Sequence, residues 1–180
     1  MNIFPAFHTP IFLKECNLNL EKIKNQVNLF SKQNLYENRS GVGSKQYQNF
    51  ECIDLTEEIK LSIPTNDLSD VQINEMWINI NPRGSSNSRH HHNPFSGKAL
   101  SGVFYVQATD DSGDIVFYDP RGIIKNAPDM KYFNGESTDL RFSPRNNSLI
   151  IFPAWLEHSV EENISAADRI SISFNISLRG

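Results

Sequence analysis

Two hydrophobic periods divide the chain, a helical one before about residue 65 and an alternating one from Glu75 onward. In the first part Leu20, Ile23, Val27 and Phe30 recur at helical spacing behind Asn17 or Asn19, either of which suits an N-cap, so an amphipathic helix is predicted there. A second apolar-periodic stretch, Ile53 to Ile63, predicts a shorter helix, and the polar, glycine-bearing run from Glu37 to Lys45 predicts a loop. In the second part Met76, Ile78 and Ile80 alternate with Trp77, Asn79 and Asn81, and Pro82-Arg83-Gly84 stops this strand. Further strands are predicted over Leu100–Gln107, Asp114–Tyr118, Ser148–Pro153, around Glu157–Val160, and over Ile170–Leu178.

Short strands separated by Gly, Pro, Asn and Asp leave hardly any room for crossover helices, so the expected class is mainly β: an antiparallel double-stranded β-helix, or jelly roll. N-terminal helices would pack on one sheet. Residues 1–180 are expected to form a single domain, with 1–70 a mainly helical and loop support and 75–180 the jelly-roll core. The last strand carries the clearest pattern. Ile170, Ile172, Phe174, Ile176 and Leu178 share one face, and Arg169, Ser171, Ser173, Asn175 and Ser177 the other. We expect the Ile face beneath the N-terminal helix and the Ser face lining the barrel mouth, because a buried Arg followed by Ser residues needs polar partners. The run from Gly122 to Arg145 is long for a connection in a compact domain and is read as a lid.

Composition narrows the functional classes. Hydrophobic residues make up 38% and charged residues 21%, which fits a folded globular chain, and a net charge of −4 offers no basic face for a phosphate backbone, so no nucleic-acid partner is indicated. Apolar runs fall far short of the ~18 residues of a membrane span. Without a signal-like or transmembrane segment, and with two cysteines lacking metal-type spacing, the expectation is a soluble cytoplasmic protein with reduced thiols. The assembly is left open between monomer and homodimer.

The chemistry concentrates after Arg89. His90 and His92 have strand spacing that brings them to one face while His91 points away, and His158 follows a later strand. Three imidazoles on one side of an ion, with positions left open on the other, suit iron that must bind an organic acid and dioxygen. His8 lies in an irregular segment and is read as surface. Arg169 and Ser171, about 6.6 Å apart along a strand, would clamp the far carboxylate of a dicarboxylic co-substrate, with Tyr105 a third donor. Arg83, Arg89 and Arg121 are candidate substrate-holding cations near the mouth, and Trp77 and Trp155 candidate channel aromatics. Other readings stay open: His91 ligating beside Asn93, a carboxylate from Asp114 or Asp119, a three-His cupin-type dioxygenase that needs no diacid, a zinc hydrolase, and a non-catalytic β-sandwich binding module.

Taken together, His90-His91-His92-Asn93-Pro94, Leu100–Val106, Ser112–Phe117, Leu149–Pro153 with His158, and Arg169-Ile170-Ser171 resemble the 2-oxoglutarate and iron(II)-dependent oxygenases. The resemblance is to the prolyl-hydroxylase-like branch and to small bacterial and phage members with Trp-x-Asn and Asp-Pro-Arg signatures, here Trp77-Ile78-Asn79 and Asp119-Pro120-Arg121. It implies Fe(II) held by a His, an acidic residue two positions on, and a distal His, with Arg169 anchoring 2-oxoglutarate and ascorbate serving as reductant. The implied reaction releases succinate and carbon dioxide and hydroxylates an unactivated C–H bond of a small-molecule or peptidyl substrate. This chain departs from that pattern at one position, where His92 stands in place of the acid and leaves the ion about one charge more positive.

Overall fold

The computed structural model describes residues 8–37, 39, 41–64, 67–121 and 139–178. In chain order the elements are β1 (Phe12–Glu15), α1 (Leu20–Gln33), β2 (Gly41–Val42), β3 (Lys45–Tyr47), α2 (Ile53–Ser62), β4 (Val71–Asn81), β5 (Ser86–His90), β6 (Leu100–Gln107), β7 (Ile115–Tyr118), β8 (Asp139–Phe142), β9 (Ser148–Pro153), β10 (His158–Val160) and β11 (Arg169–Leu178). They form a six-stranded sheet in the order β1-β9-β6-β11-β4-β3 and a five-stranded sheet in the order β2-β5-β10-β7-β8. Every pairing between these strands is antiparallel.

The alternation in β11 decides which way the large sheet faces. Ile170, Ile172, Phe174 and Ile176 lie on its outer side, in one core with Ile23 and Val27 of α1 and Leu55 and Ile59 of α2. Each such buried side chain contributes about 1.5–3 kcal/mol relative to exposure, which is what holds two otherwise marginal helices on the sheet. α1 starts at Asn19, whose Oδ1 accepts from the Lys22 amide at 3.0 Å. The inner side carries Val103, Tyr105, Ile150 and Phe152, which meet Ile115 and Phe117 of the small sheet. Gly102 is required where β6 passes Phe174: a Cβ there would sit 2.7 Å from the Ile150 carbonyl oxygen and inside the Phe174 ring.

Both predicted helices and all six predicted strands are present, and the Ser face of β11 does point inward. The N-terminal 70 residues, however, are more than helical support, because β1 and β3 extend the large sheet and β2 the small one. The predicted Glu37–Lys45 loop contains the two-residue β2, and its last residue begins β3, whose strands are too short to show a period. Of the predicted lid, Asp139–Phe142 is strand β8, paired with β7; residues 122–138 lie outside the described residues.

One left-handed residue ties the N-terminal segment to the barrel. Asn147 (φ 66°) accepts from the Leu18 amide at 3.1 Å through Oδ1 and donates from Nδ2 to the Leu18 carbonyl at 2.9 Å.

Candidate active site

Between the inner faces of the two sheets lies a slot with about 510 Å³ of space, part of it open to solvent, whose wall includes all three candidate histidines together with Arg169, Ser171 and Tyr105. His90, His92 and His158 each offer a ring nitrogen, and the three nitrogens lie within 4.8 Å of one another. Among the described residues no carboxylate belongs to that cluster. Asp119 is engaged by Arg121, and His91 is exposed.

Strand pairing accounts for two of the three. His158 on β10 is opposite His90 on β5, so their rings meet at a centroid distance of 4.4 Å. His92 arrives differently from the strand alternation expected of it, because β5 ends at His90. Its amide instead donates to the Ala154 carbonyl at 2.9 Å, which draws the segment back across the slot, and its ring leans toward Trp77 with centroids 5.8 Å apart.

Nδ1 of His90 faces the Ser88 carbonyl at 2.7 Å, and Nδ1 of His158 faces the Leu156 carbonyl at 2.9 Å. A carbonyl only accepts, so each Nδ1 carries a proton, and in the neutral tautomer this leaves Nε2 as the ligating nitrogen. Burial, reinforced by the neighbouring His90, pushes both His92 and His158 down to about 3, so these rings are neutral, the form that binds metal. Three convergent imidazoles fit a divalent transition ion.

At the other end of the slot Arg169 is 1% exposed. Its Nη1 donates to the carbonyls of Ser112 and Gly113, the latter at 3.1 Å, while Nη2 is buried with no hydrogen-bond partner. Burial lowers the guanidinium from its ordinary value, yet arginine stays a cation at neutral pH. Ser171 and Tyr105 are cross-strand partners, and burial pushes the Tyr105 phenol up to about 12, so it remains a donor. An unpartnered buried guanidinium nitrogen beside two hydroxyls suits a carboxylate.

The remaining candidates are placed elsewhere. Arg83 is exposed in the β4–β5 turn, at the Arg169 end of the barrel and off the slot wall. Arg121 is ion-paired to Asp119 at 2.7 Å, which closes the Asp-Pro-Arg signature on itself. Arg89 pairs with Glu157 and lies 4.0 Å from the Tyr118 ring centroid, on the side of β5 away from His90. Trp77 lines the slot; Trp155 does not and is half-exposed. His8 is exposed as expected.

The sequence reading missed a carboxamide wall. Gln46 Nε2 donates to Asn79 Oδ1 at 2.9 Å, Asn79 Nδ2 donates to Ser173 Oγ at 2.9 Å, and Asn81 Nδ2 donates to Asn87 Oδ1 at 3.2 Å. Asn79 and Asn81 were detectable, since they share the inward face of β4 with Trp77. Gln46 sits in a strand too short to call from pattern.

Residues 75–175, more than half the chain, match the family model described as "Putative 2OG-Fe(II) oxygenase". The chain belongs to this family of 2-oxoglutarate- and iron-dependent oxygenases. Among solved structures it is similar to a Pseudomonas putida prolyl-4-hydroxylase (TM-score 0.68, 14% identity, covering 96% of this chain and 94% of that one). It is also similar to a Trichoplax adhaerens prolyl hydroxylase in complex with a hypoxia inducible factor peptide fragment (TM-score 0.67, 16% identity, 93% and 83%) and to HygX from Streptomyces hygroscopicus with nickel and 2-oxoglutarate bound (TM-score 0.63, 10% identity, 94% and 83%). These likenesses establish the fold as the double-stranded β-helix of such oxygenases. No curated protein matches the sequence.

Proposed function

We propose that this chain is a dioxygenase, working as one domain, that hydroxylates an unactivated C–H bond of a small-molecule or peptidyl substrate while converting 2-oxoglutarate to succinate and carbon dioxide. The observation that carries this reading is the coexistence in one slot of three convergent imidazole nitrogens and a buried guanidinium nitrogen without a partner.

In this reading His90, His92 and His158 hold Fe(II), with the Ser88 and Leu156 carbonyls fixing two of the rings in the ligating tautomer. Arg169 takes the far carboxylate of 2-oxoglutarate, assisted by the hydroxyls of Ser171 and Tyr105. When bound, the iron supplies dioxygen activation coupled to oxidative decarboxylation of the keto acid. The apolar wall formed by Ile115, Phe152 and Val160 keeps bulk water from the reacting centre. The substrate breadth follows the structural relatives, one of which is a complex with a peptide and another a complex with hygromycin B.

The test is succinate release from 2-oxoglutarate with ferrous iron and ascorbate, comparing the parent with His92→Ala and Arg169→Ala. Both variants should lose turnover; parent-like activity in both would reject the site. Anaerobic addition of 2-oxoglutarate to the ferrous protein should raise a weak visible charge-transfer band, which a cupin-type enzyme lacking a 2-oxoglutarate site would not give.

A further inference from the structure

The guanidinium of Arg169 is divided between two tasks. Nη1 is surrounded by main-chain carbonyls, those of Ser112, Gly113 at 3.1 Å and Glu161 at 3.4 Å, whereas Nη2 is buried and unpartnered. Among the described residues no carboxylate forms an ion pair with it. Carbonyls fix the direction of a guanidinium without cancelling its charge. A carboxylate in their place would orient the group and neutralise it, removing its demand for an anionic ligand.

Two backbone segments must come unusually close to supply these carbonyls. Gly113 has φ +84°, and a Cβ on it would lie 2.5 Å from the Glu161 carbonyl oxygen and 2.7 Å from that of Glu162. Only glycine tolerates both that backbone and that approach. The turn leading into Gly113 is set by Ser112. Its Oγ accepts from the Thr109 amide at 2.8 Å and lies 3.0 Å from the Thr109 hydroxyl, while its own amide donates to the Thr109 carbonyl at 3.0 Å. The facing segment is anchored by the Glu161 amide on the Asp114 carbonyl at 2.9 Å, and by the Ile164 and Ser165 amides on the Asp111 carbonyl at 3.0 and 3.2 Å.

We propose that the Thr109–Gly113 turn is a positioning device for the co-substrate anchor: Ser112 sets the turn, the carbonyls of Ser112, Gly113 and Glu161 hold Nη1, and Nη2 is thereby presented to the far carboxylate of the diacid. This rests on the assignment of Arg169 as that anchor. Ser112 and Gly113 touch neither metal nor keto acid; they act through Arg169. Because the device serves only the distal carboxylate, it controls selectivity for a keto diacid over a keto monoacid and leaves the chelating end of the ligand unaffected.

Anaerobic titrations of the ferrous protein with 2-oxoglutarate and with pyruvate, which has the keto acid but no far carboxylate, test this directly. Ser112→Ala keeps the main-chain carbonyl but removes the side chain that fixes the turn, and should weaken 2-oxoglutarate binding about tenfold with pyruvate binding and metal stoichiometry unchanged. Gly113→Ala should show the same selectivity with a larger loss. Parent-like binding of both keto acids by Ser112→Ala, or a parallel weakening of both together with a lowered melting temperature, would overturn the proposal. A parent protein that binds metal yet gives no response to 2-oxoglutarate would instead overturn the functional reading beneath it, a separate result.

Discussion

The two ends of the slot are oriented by different kinds of contact. At the histidine end the rings of His90 and His158 are each fixed by the carbonyl two residues earlier in the chain, Ser88 and Leu156. At the arginine end Nη1 depends on Ser112 and Gly113, more than fifty residues away, and on Glu161 across a loop. Two of the three rings at the histidine end are thus oriented by short pieces of sequence on paired strands, while His92, held by Ala154, and the whole arginine end depend on segments distant in the chain. On the proposed assignment, metal binding at one end and co-substrate binding at the other should be separable by mutation.

That separation is most severely tested by His158→Ala, which should lower metal affinity by at least about 100-fold and with it every response to 2-oxoglutarate, read by metal stoichiometry after reconstitution. Arg169→Ala should leave metal stoichiometry intact while weakening 2-oxoglutarate about 100-fold, the cost of an unpaired carboxylate in a buried site; calorimetry with a redox-inert ion would show it. A smaller effect of about fivefold is expected for Ser171→Ala, which removes one hydroxyl donor and no charge. If Arg169→Ala lost the metal as well, the two ends would be coupled and the comparison would fail.

The gentlest probe is pH. His92 and His158 are held at about 3, below the ordinary 6.5, so the folded metal-free protein refuses protons that the unfolded chain accepts. The stability these groups contribute is present above about pH 6.5 and is progressively lost as the pH falls from there toward 3. Urea midpoints of the metal-free protein at pH 7 and pH 5 should differ in that direction, and a bound divalent ion should enlarge the difference, because protons compete for the same nitrogens.

How much of this was legible in the sequence follows from the same contrast. Strands β4, β6, β9 and β11, α1 and the inward Ser face of β11 were readable because their side chains keep one period over enough residues to sit on a defined face, whereas the three-residue β10 was placed by its position between turn residues and the distal histidine. The histidines and Arg169 were readable as candidates because spacing and strand position sufficed. The route of His92 was not, since its amide bond to Ala154 joins segments 62 residues apart (154 − 92). The carbonyl cage of Arg169 was illegible for the same reason, as main-chain acceptors leave no residue-type signature. Gly113 left a trace, a glycine just before a strand, yet the backbone it must approach is known only from the closed barrel. That Arg89 and Arg121 are already paired was not legible, because sequence shows a charge but not whether a Glu157 or an Asp119 engages it, and the placement of Arg83 off the slot wall depends on the turn between β4 and β5.

β9 is the most apolar strand of the large sheet, and the four residues of β1 pair along its free edge from Phe12 opposite Ile151 to Glu15 opposite Ser148. Lys14 is held there by an ion pair with Glu58 at 2.6 Å. A chain shortened past Glu15 would keep every residue of the slot and yet bare a row of amides and carbonyls on Ser148-Leu149-Ile150-Ile151, a template on which a second such chain could add its own strand. β1 thus covers an apolar edge, and trimming it to reach a minimal barrel should raise the tendency to self-associate.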